Sequence, residues 1–216
     1  MFLSDKQIKD YQDNGVIIIK DIFKDWIEPL RKGFQKVLEN PSQHGRENVT
    51  DNKGRFFEDY CNWQRISEFK DCIFNSQAAQ IVAKATSSKS SQIFHEHICI
   101  KEAGTHKETP WHQDEPYWSV EGYDACSIWM PLVPVKRKSS LSFVPGSHRL
   151  KTVFKQYNFG NLNPVRKKNV DQVDFSDIAE QELPDINADP ERFGVVSWDM
   201  QPGDCIAFNG RTMHGG

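Results

Sequence analysis

A chain of 216 residues with a formal net charge of −3 and 26% charged residues offers no electrostatic case for nucleic acid or an anionic membrane surface. Its length and 38% hydrophobic content suit one domain that buries a core without disulfide staples. No stretch approaches the roughly 18 apolar residues of a membrane span, and the opening MFLSDKQIKDYQDNG lacks the basic-then-apolar order of a signal peptide.

The elements follow in chain order. Ser4 with Gln7 forms a capping-box pattern, which predicts a helix ending near Asn14-Gly15. Val16 to Ile19 (VIII) predicts a short buried strand. Asp25 with Glu28 predicts the cap of a second helix running to about Glu39, stopped by Asn40-Pro41. A further helical stretch spans Ser67 to Ala85, and TSSKSS (Thr86 to Ser91) reads as a loop. From Gln92 the character changes. QIFHEHICIK, WHQDEPYW, YDACSIWMPLVPV, LSFVPGSHRL and VVSWDMQPGDCIAFNGRTMHGG are short β-branched and aromatic runs separated by Pro and Gly turns. That pattern predicts an antiparallel sandwich or barrel with helices packed outside it. The polar segment Lys151 to Phe193 predicts a lid-like insertion over the barrel mouth. The five scattered cysteines (Cys61, Cys72, Cys99, Cys126, Cys205) form no C-x-x-C and predict reduced thiols and a cytoplasmic protein.

The chemistry-bearing stretch is TPWHQD, Thr109 to Asp114. A chain of this composition supplies roughly half an H-x-D by chance, so the motif needs support from elsewhere. If WHQD is extended, His112 and Asp114 share one face and Trp111 and Gln113 the other. Two imidazoles and one carboxylate on one face suit an iron site with open coordination positions. His214, after the apolar run Cys205 to Phe208 and the turn Pro202-Gly203-Asp204, is the best third ligand, and Gly215-Gly216 leave room beside it. Competing pairs exist. His106 and Glu108 lie in a Gly-, Thr- and Pro-containing loop. His95 and His97 with Glu102 make half of a cupin-like motif without its framing glycines, which leaves His95 as a sheet histidine. His148 in PGSHRL reads as a partner for turn backbone groups.

TPWHQD, SIWMPLVPV, LSFVPGSHRL and MQPGDCIAFNGRTMHGG occur in the order and spacing that resemble the phytanoyl-CoA dioxygenase family of Fe(II)/2-oxoglutarate-dependent oxygenases, and LSDKQIKDYQDNGVIIIKDIF is similar to that family's opening. The resemblance implies a mainly β fold with flanking helices (α+β), built on a double-stranded β-helix or jelly-roll core in a single domain, 1–216. It implies catalytic iron held by His112, Asp114 and His214, with 2-oxoglutarate as cosubstrate, O2, and release of succinate and CO2. The carboxylate at Asp114 favours hydroxylation of a small molecule over halogenation. Trp129 in SIWMPL, His97 and, in looser register, Arg55 match positions beside the cosubstrate.

The far carboxylate of 2-oxoglutarate calls for a cation, and family members place an Arg roughly ten residues beyond the distal histidine. The sequence stops at Gly216, which predicts that a C-terminal portion is missing, with a substitute cation or a metal-binding protein without turnover as the competing readings. Arg211 stands at odd spacing from His214 and is expected to be structural. Tyr117 and Trp118 are expected on the substrate side. The expected partner is a small-molecule substrate, and the expected state a monomer or homodimer.

Overall fold

The computed structural model describes residues 3–47, 54–102, 104–105, 108–157 and 181–216. Helix α1 (Asp5–Asn14) opens with the expected capping box: Gln7 N donates to Ser4 Oγ at 3.2 Å, and Ser4 N donates to Gln7 Oε1 at 3.0 Å. Strand β1 (Val16–Ile19) follows directly. Helix α2 (Ile27–Glu39) starts differently from the sequence expectation. A 3-10 turn, Lys24–Trp26, takes in Asp25, and no side chain caps α2. Its end at Glu39, before Asn40-Pro41, is as expected.

The stretch from Ser67 to Ala85 is two helices, α3 (Ser67–Asn75) and α4 (Ala78–Ala85). Ser76 breaks them: its backbone is extended and its Oγ accepts from Ala78 N at 3.2 Å, the local competition for backbone donors that serine offers.

The strands form three antiparallel sheets among the described residues. In the first, β7 (Cys205–Asn209) lies between β1 and β5 (Cys126–Trp129), with Val16 opposite Phe208 and Ser127 opposite that same residue. In the second, β3 (Phe56–Tyr60) lies between β2 (Arg46–Glu47) and β4 (His97–Lys101). In the third, β6 (Ser142–Phe143) pairs with β8 (His214–Gly215). The run from Gln92 joins its strand only at His97, because the Glu96 carboxylate turns to receive the backbone N–H groups of Asn62 and Trp63. With four helices beside short strands among the described residues, the fold is mixed α and β. No helix among the described residues is long and apolar enough to cross a membrane.

Packing explains the layering. Leu30, Val37, Phe69, Cys72 and Ile81 from the helices bury against Ile17, Ile19, Phe57, Ile98, Cys205 and Ala207 from the sheets. On the other side of β7, Ile206 and Phe208 pack with Phe143, Met200 and Val16. A third cluster joins Phe154 and Ile186 to Val144 and Met213. Both described flanks of the expected lid segment are therefore anchored in core, while residues 158–180 of that segment lie outside the described residues.

The turn entering β7 carries its own constraint. Gly203 has φ +102, and a Cβ there would meet the Lys24 backbone at 3.0 Å. Beside it, the Asp204 carboxylate accepts from Lys20 Nζ at 2.8 Å, Gln201 N at 2.8 Å and Asp21 N at 3.1 Å. Burial alone raises its pKa, but these donors outweigh burial and hold it below the ordinary value. Such a carboxylate contributes stability above its unfolded pKa of about 3.9, and loses it as pH falls through the lower folded value. Asp204→Asn is expected to cost about 1.5–3 kcal/mol at neutral pH. In urea unfolding, the gap to the parent protein should close below about pH 4.

Candidate metal centre

His112 and His214 are brought face to face by the backbone. Each N–H donates to the other's carbonyl at 2.9 Å, the reciprocal pair of an antiparallel ladder, so their side chains project side by side. The close approach depends on Gly215, where a Cβ would stand 3.0 Å from Thr109 O and 3.2 Å from Trp111 N.

Asp114 arrives by another route than strand alternation. Its backbone is helical (φ −72°, ψ −42°) and it caps the 3-10 turn Glu115–Tyr117, so WHQD is a single bridge at His112 followed by a turn. Pro116, inside the turn, removes a ladder donor and disfavours continued strand. The result is still convergence: Asp114 Oδ1 is 3.5 Å from His112 Nε2 and 3.7 Å from His214 Nε2. Gln113 points elsewhere, as expected, and is buried. Its amide donates to Arg211 O at 2.9 Å and accepts from Phe154 N at 3.0 Å.

The tautomers follow from the acceptors. His112 Nδ1 lies 2.8 Å from Pro110 O and His214 Nδ1 lies 2.9 Å from Thr212 O. A carbonyl can only accept, so both Nδ1 atoms carry the proton and both Nε2 atoms face Asp114. Phe143 and Phe208 flank the His214 ring at 5.7 and 4.7 Å, and Tyr117 stands edge-on to His112 at 5.8 Å. Ser127 Oγ donates to Asp114 Oδ2 at 3.0 Å, a partner the sequence reading did not identify.

Burial and near neighbours shift two members of the cluster. Burial lowers the His214 pKa to about 4, with His112 adding to the effect, so that ring is neutral at pH 7. Burial pushes the Asp114 pKa upward, but His214, His112 and Ser127 outweigh it and hold the carboxyl at about 2. An ionised carboxylate half removed from water favours a compensating cation beside it.

The other expected residues are placed as follows. Trp129 is two residues from Ser127 on β5, which puts it on the triad's side of that strand. On β4, His97 lies opposite Tyr60, and its ring feels the Asp114 charge. Arg55 is not brought to the triad. Its guanidinium grips Glu47, with Nε at 2.8 Å from Oε1, and lies over the Phe57 ring, on the helix-packed side. The opposite side carries Arg46, paired with Glu58, and Lys101, paired with Phe56; Lys101 Nζ donates to Thr109 Oγ1 and Gly216 O, each at 3.0 Å. Arg211 makes a buried bidentate pair with Glu115 (2.7 to 2.9 Å) and stacks over Tyr123 at 4.3 Å. Its role in these contacts is structural. His148 Nε2 meets Gln12 O at 3.1 Å, a backbone partner in α1. His106 lies outside the described residues.

A two-histidine, one-carboxylate cluster at the heart of an antiparallel framework defines a class of mononuclear metal centre. The family model for phytanoyl-CoA dioxygenase (PhyH) matches residues 11–216, and the chain belongs to that family. No match was found among curated protein sequences. Among solved structures, the chain is similar to the non-heme alpha ketoglutarate dependent carbocyclase SnoK from nogalamycin biosynthesis, with TM-score 0.72 and 18% identity over 99% of this chain and 77% of that one. It is also similar to EctD from S. alaskensis with 2-oxoglutarate and 5-hydroxyectoine, with TM-score 0.72 and 20% identity over 99% and 70% of the respective chains. EvdO2 from Micromonospora carbonacea var. aurantiaca complexed with 2-oxoglutarate aligns with TM-score 0.63 and 17% identity, over 99% and 83%. At these identities the likeness is one of fold.

Proposed function

We propose that the protein is a cytoplasmic Fe(II)- and 2-oxoglutarate-dependent dioxygenase that hydroxylates a small molecule. The observation that carries this reading is the half-buried, ionised Asp114 with the Nε2 atoms of His112 and His214 turned toward it, in a chain of this family. The fit to a metal is close. Donors about 2.1 Å from a common ion stand roughly 3.0 to 3.4 Å apart, a few tenths of an ångström inside the present spacing. Iron with 2-oxoglutarate and O2 supplies the oxidising power, with succinate and CO2 released.

The chain's own residues hold and orient. His112, Asp114 and His214 are the ligands. Pro110 O, Thr212 O and Ser127 Oγ fix their orientation, as outer-shell partners do. Retention of Asp114 as a ligand supports hydroxylation over halogenation. Trp129 is assigned to the cosubstrate side. For its far carboxylate we assign Lys101 in place of Arg55, on the strength of its position across from Phe56 and beside Gly216. Tyr117, Trp118 and the partly exposed Phe94 form the substrate side, with Phe94 and Trp118 rings 5.9 Å apart. Tyr117 Oη donates to Tyr157 O at 2.9 Å and accepts from Tyr157 N at 3.0 Å, which supports residues 151–157 as a cover over that side. The three sheets are assigned to one double-stranded β-helix in a single domain, a reading supported by their antiparallel order and the TM-scores above. Five cysteines without a disulfide support the cytoplasm.

The test is anaerobic titration with Fe(II) and 2-oxoglutarate, read by the weak visible charge-transfer band of the chelate. The band is expected, and its absence would sink the oxygenase reading. In the same titration Lys101→Met should weaken 2-oxoglutarate about 10- to 100-fold, the value of a charge-assisted hydrogen bond, while Fe(II) binding stays unchanged. Unchanged cosubstrate affinity would return the role to another cation.

A further inference from the structure

We propose that Glu58, His97 and Cys99 form a second divalent-cation site, apart from the His112–Asp114–His214 triad and matched to a borderline-soft ion such as Zn2+. The β3–β4 ladder sets Glu58 opposite Cys99 and Tyr60 opposite His97. Strand alternation puts all four on one face. The opposite face, carrying Phe57, Asp59 and Ile98, is buried, whereas His97 and Cys99 are exposed.

The donor atoms already converge. His97 Nε2 lies 3.7 Å from Cys99 Sγ and 3.9 Å from Glu58 Oε2, and the three ligand atoms all fall within 4.8 Å of one another. A tetrahedral ion with bonds of about 2.0–2.1 Å to nitrogen and oxygen and about 2.3 Å to sulfur needs edges of roughly 3.4 to 3.6 Å. Both measured edges are within a few tenths of that, and rotation of the Glu58 side chain closes the third without moving the strands. One imidazole N–H can at best be shared between the thiol and the carboxylate, a weak three-centre bond at 3.7 and 3.9 Å. One ion at the centre serves all three.

The two clusters select different metals by donor softness. Two imidazoles and a carboxylate suit Fe(II) with open positions, while a thiolate among the donors favours zinc. Three protein ligands on an exposed strand face leave a fourth position for water or a small ligand, the arrangement of an open rather than a closed structural zinc site. Tyr60 braces the His97 ring edge-on at 6.0 Å, and His44 stacks on Tyr60 at 4.5 Å, so the ligand ring is held from behind.

Cobalt(II) is the probe, because a thiolate ligand gives a near-ultraviolet charge-transfer band that the triad, lacking sulfur, cannot give. The protein is expected to take up two equivalents and to show the band. Cys99→Ser and His97→Gln should each lose the band and one equivalent, with unchanged circular dichroism. His112→Ala should keep the band and lose the other equivalent. Glu58→Gln should weaken the band-forming step about tenfold or more. A parent protein without the band overturns the proposal. So does a band that survives in Cys99→Ser, which would assign it to Cys61 or Cys126.

Discussion

Asp114→Ala is expected to abolish stoichiometric Fe(II) binding, and with it all turnover. Outer-shell substitutions at metal sites typically cost 10- to 100-fold in affinity. Removal of the carboxylate, the one charged donor of the proposed face, should exceed that range, whereas Ser127→Ala should fall within it. His112→Ala should behave like Asp114→Ala. His95→Ala, outside the triad, should leave iron bound. Iron content after gel filtration decides the matter, and full occupancy in either triad variant would mean that the wrong cluster was chosen. The expectation rests on the mutual spacing of the three ligand atoms and on a half-buried carboxylate held ionised beside them.

Arg211→Met is expected to be the most destabilising single change outside the core, at about 3–5 kcal/mol. The Arg211 and Glu115 side chains are 10% and 5% exposed, so removing one partner strands the other's charge away from water. The pair also joins the two ligand-bearing segments: Glu115 follows Asp114, and Arg211 shortly precedes His214. Urea unfolding should show a lower midpoint with an unchanged slope. The double variant Glu115→Leu/Arg211→Met should recover most of the loss, because an apolar pair carries no stranded charge. A single variant as stable as the parent protein would remove the pair from the account of the site.

Much of the framework was legible because it is written in neighbouring residues. The α1 cap at Ser4 and Gln7, the β1 run VIII and the turn before β7 each depend on side chains a few positions apart. What was not legible depends on partners far along the chain or on local competition. Ser76 divides what its apolar spacing presents as one helix, because its hydroxyl takes the Ala78 N–H. Asp114 reaches the histidines by leading into a 3-10 turn, a route that period-two reasoning about WHQD does not contain. Arg55 and Lys101 could be told apart only from the β3–β4 register, which decides the face each occupies. The juxtaposition of Glu58 with Cys99 has the same origin. Ser127, as the partner of Asp114, had no signal in a single sequence, since serine is common and its spacing from Asp114 follows no local repeat.

The reciprocal backbone pair between His112 and His214 bears on how the protein is made. Strand β7 is the shared neighbour of β1 and β5, so the sheet holding β1 cannot close until β7 has been synthesised. Pairings of such wide sequence separation form slowly, because the chain must give up its loop entropy before they stabilise it. On the ribosome, a nascent chain that has exposed His112 and Asp114 still has no third ligand and no partner for the His112 carbonyl. Capture of a metal at the proposed face therefore waits until His214 has been synthesised and has paired with His112.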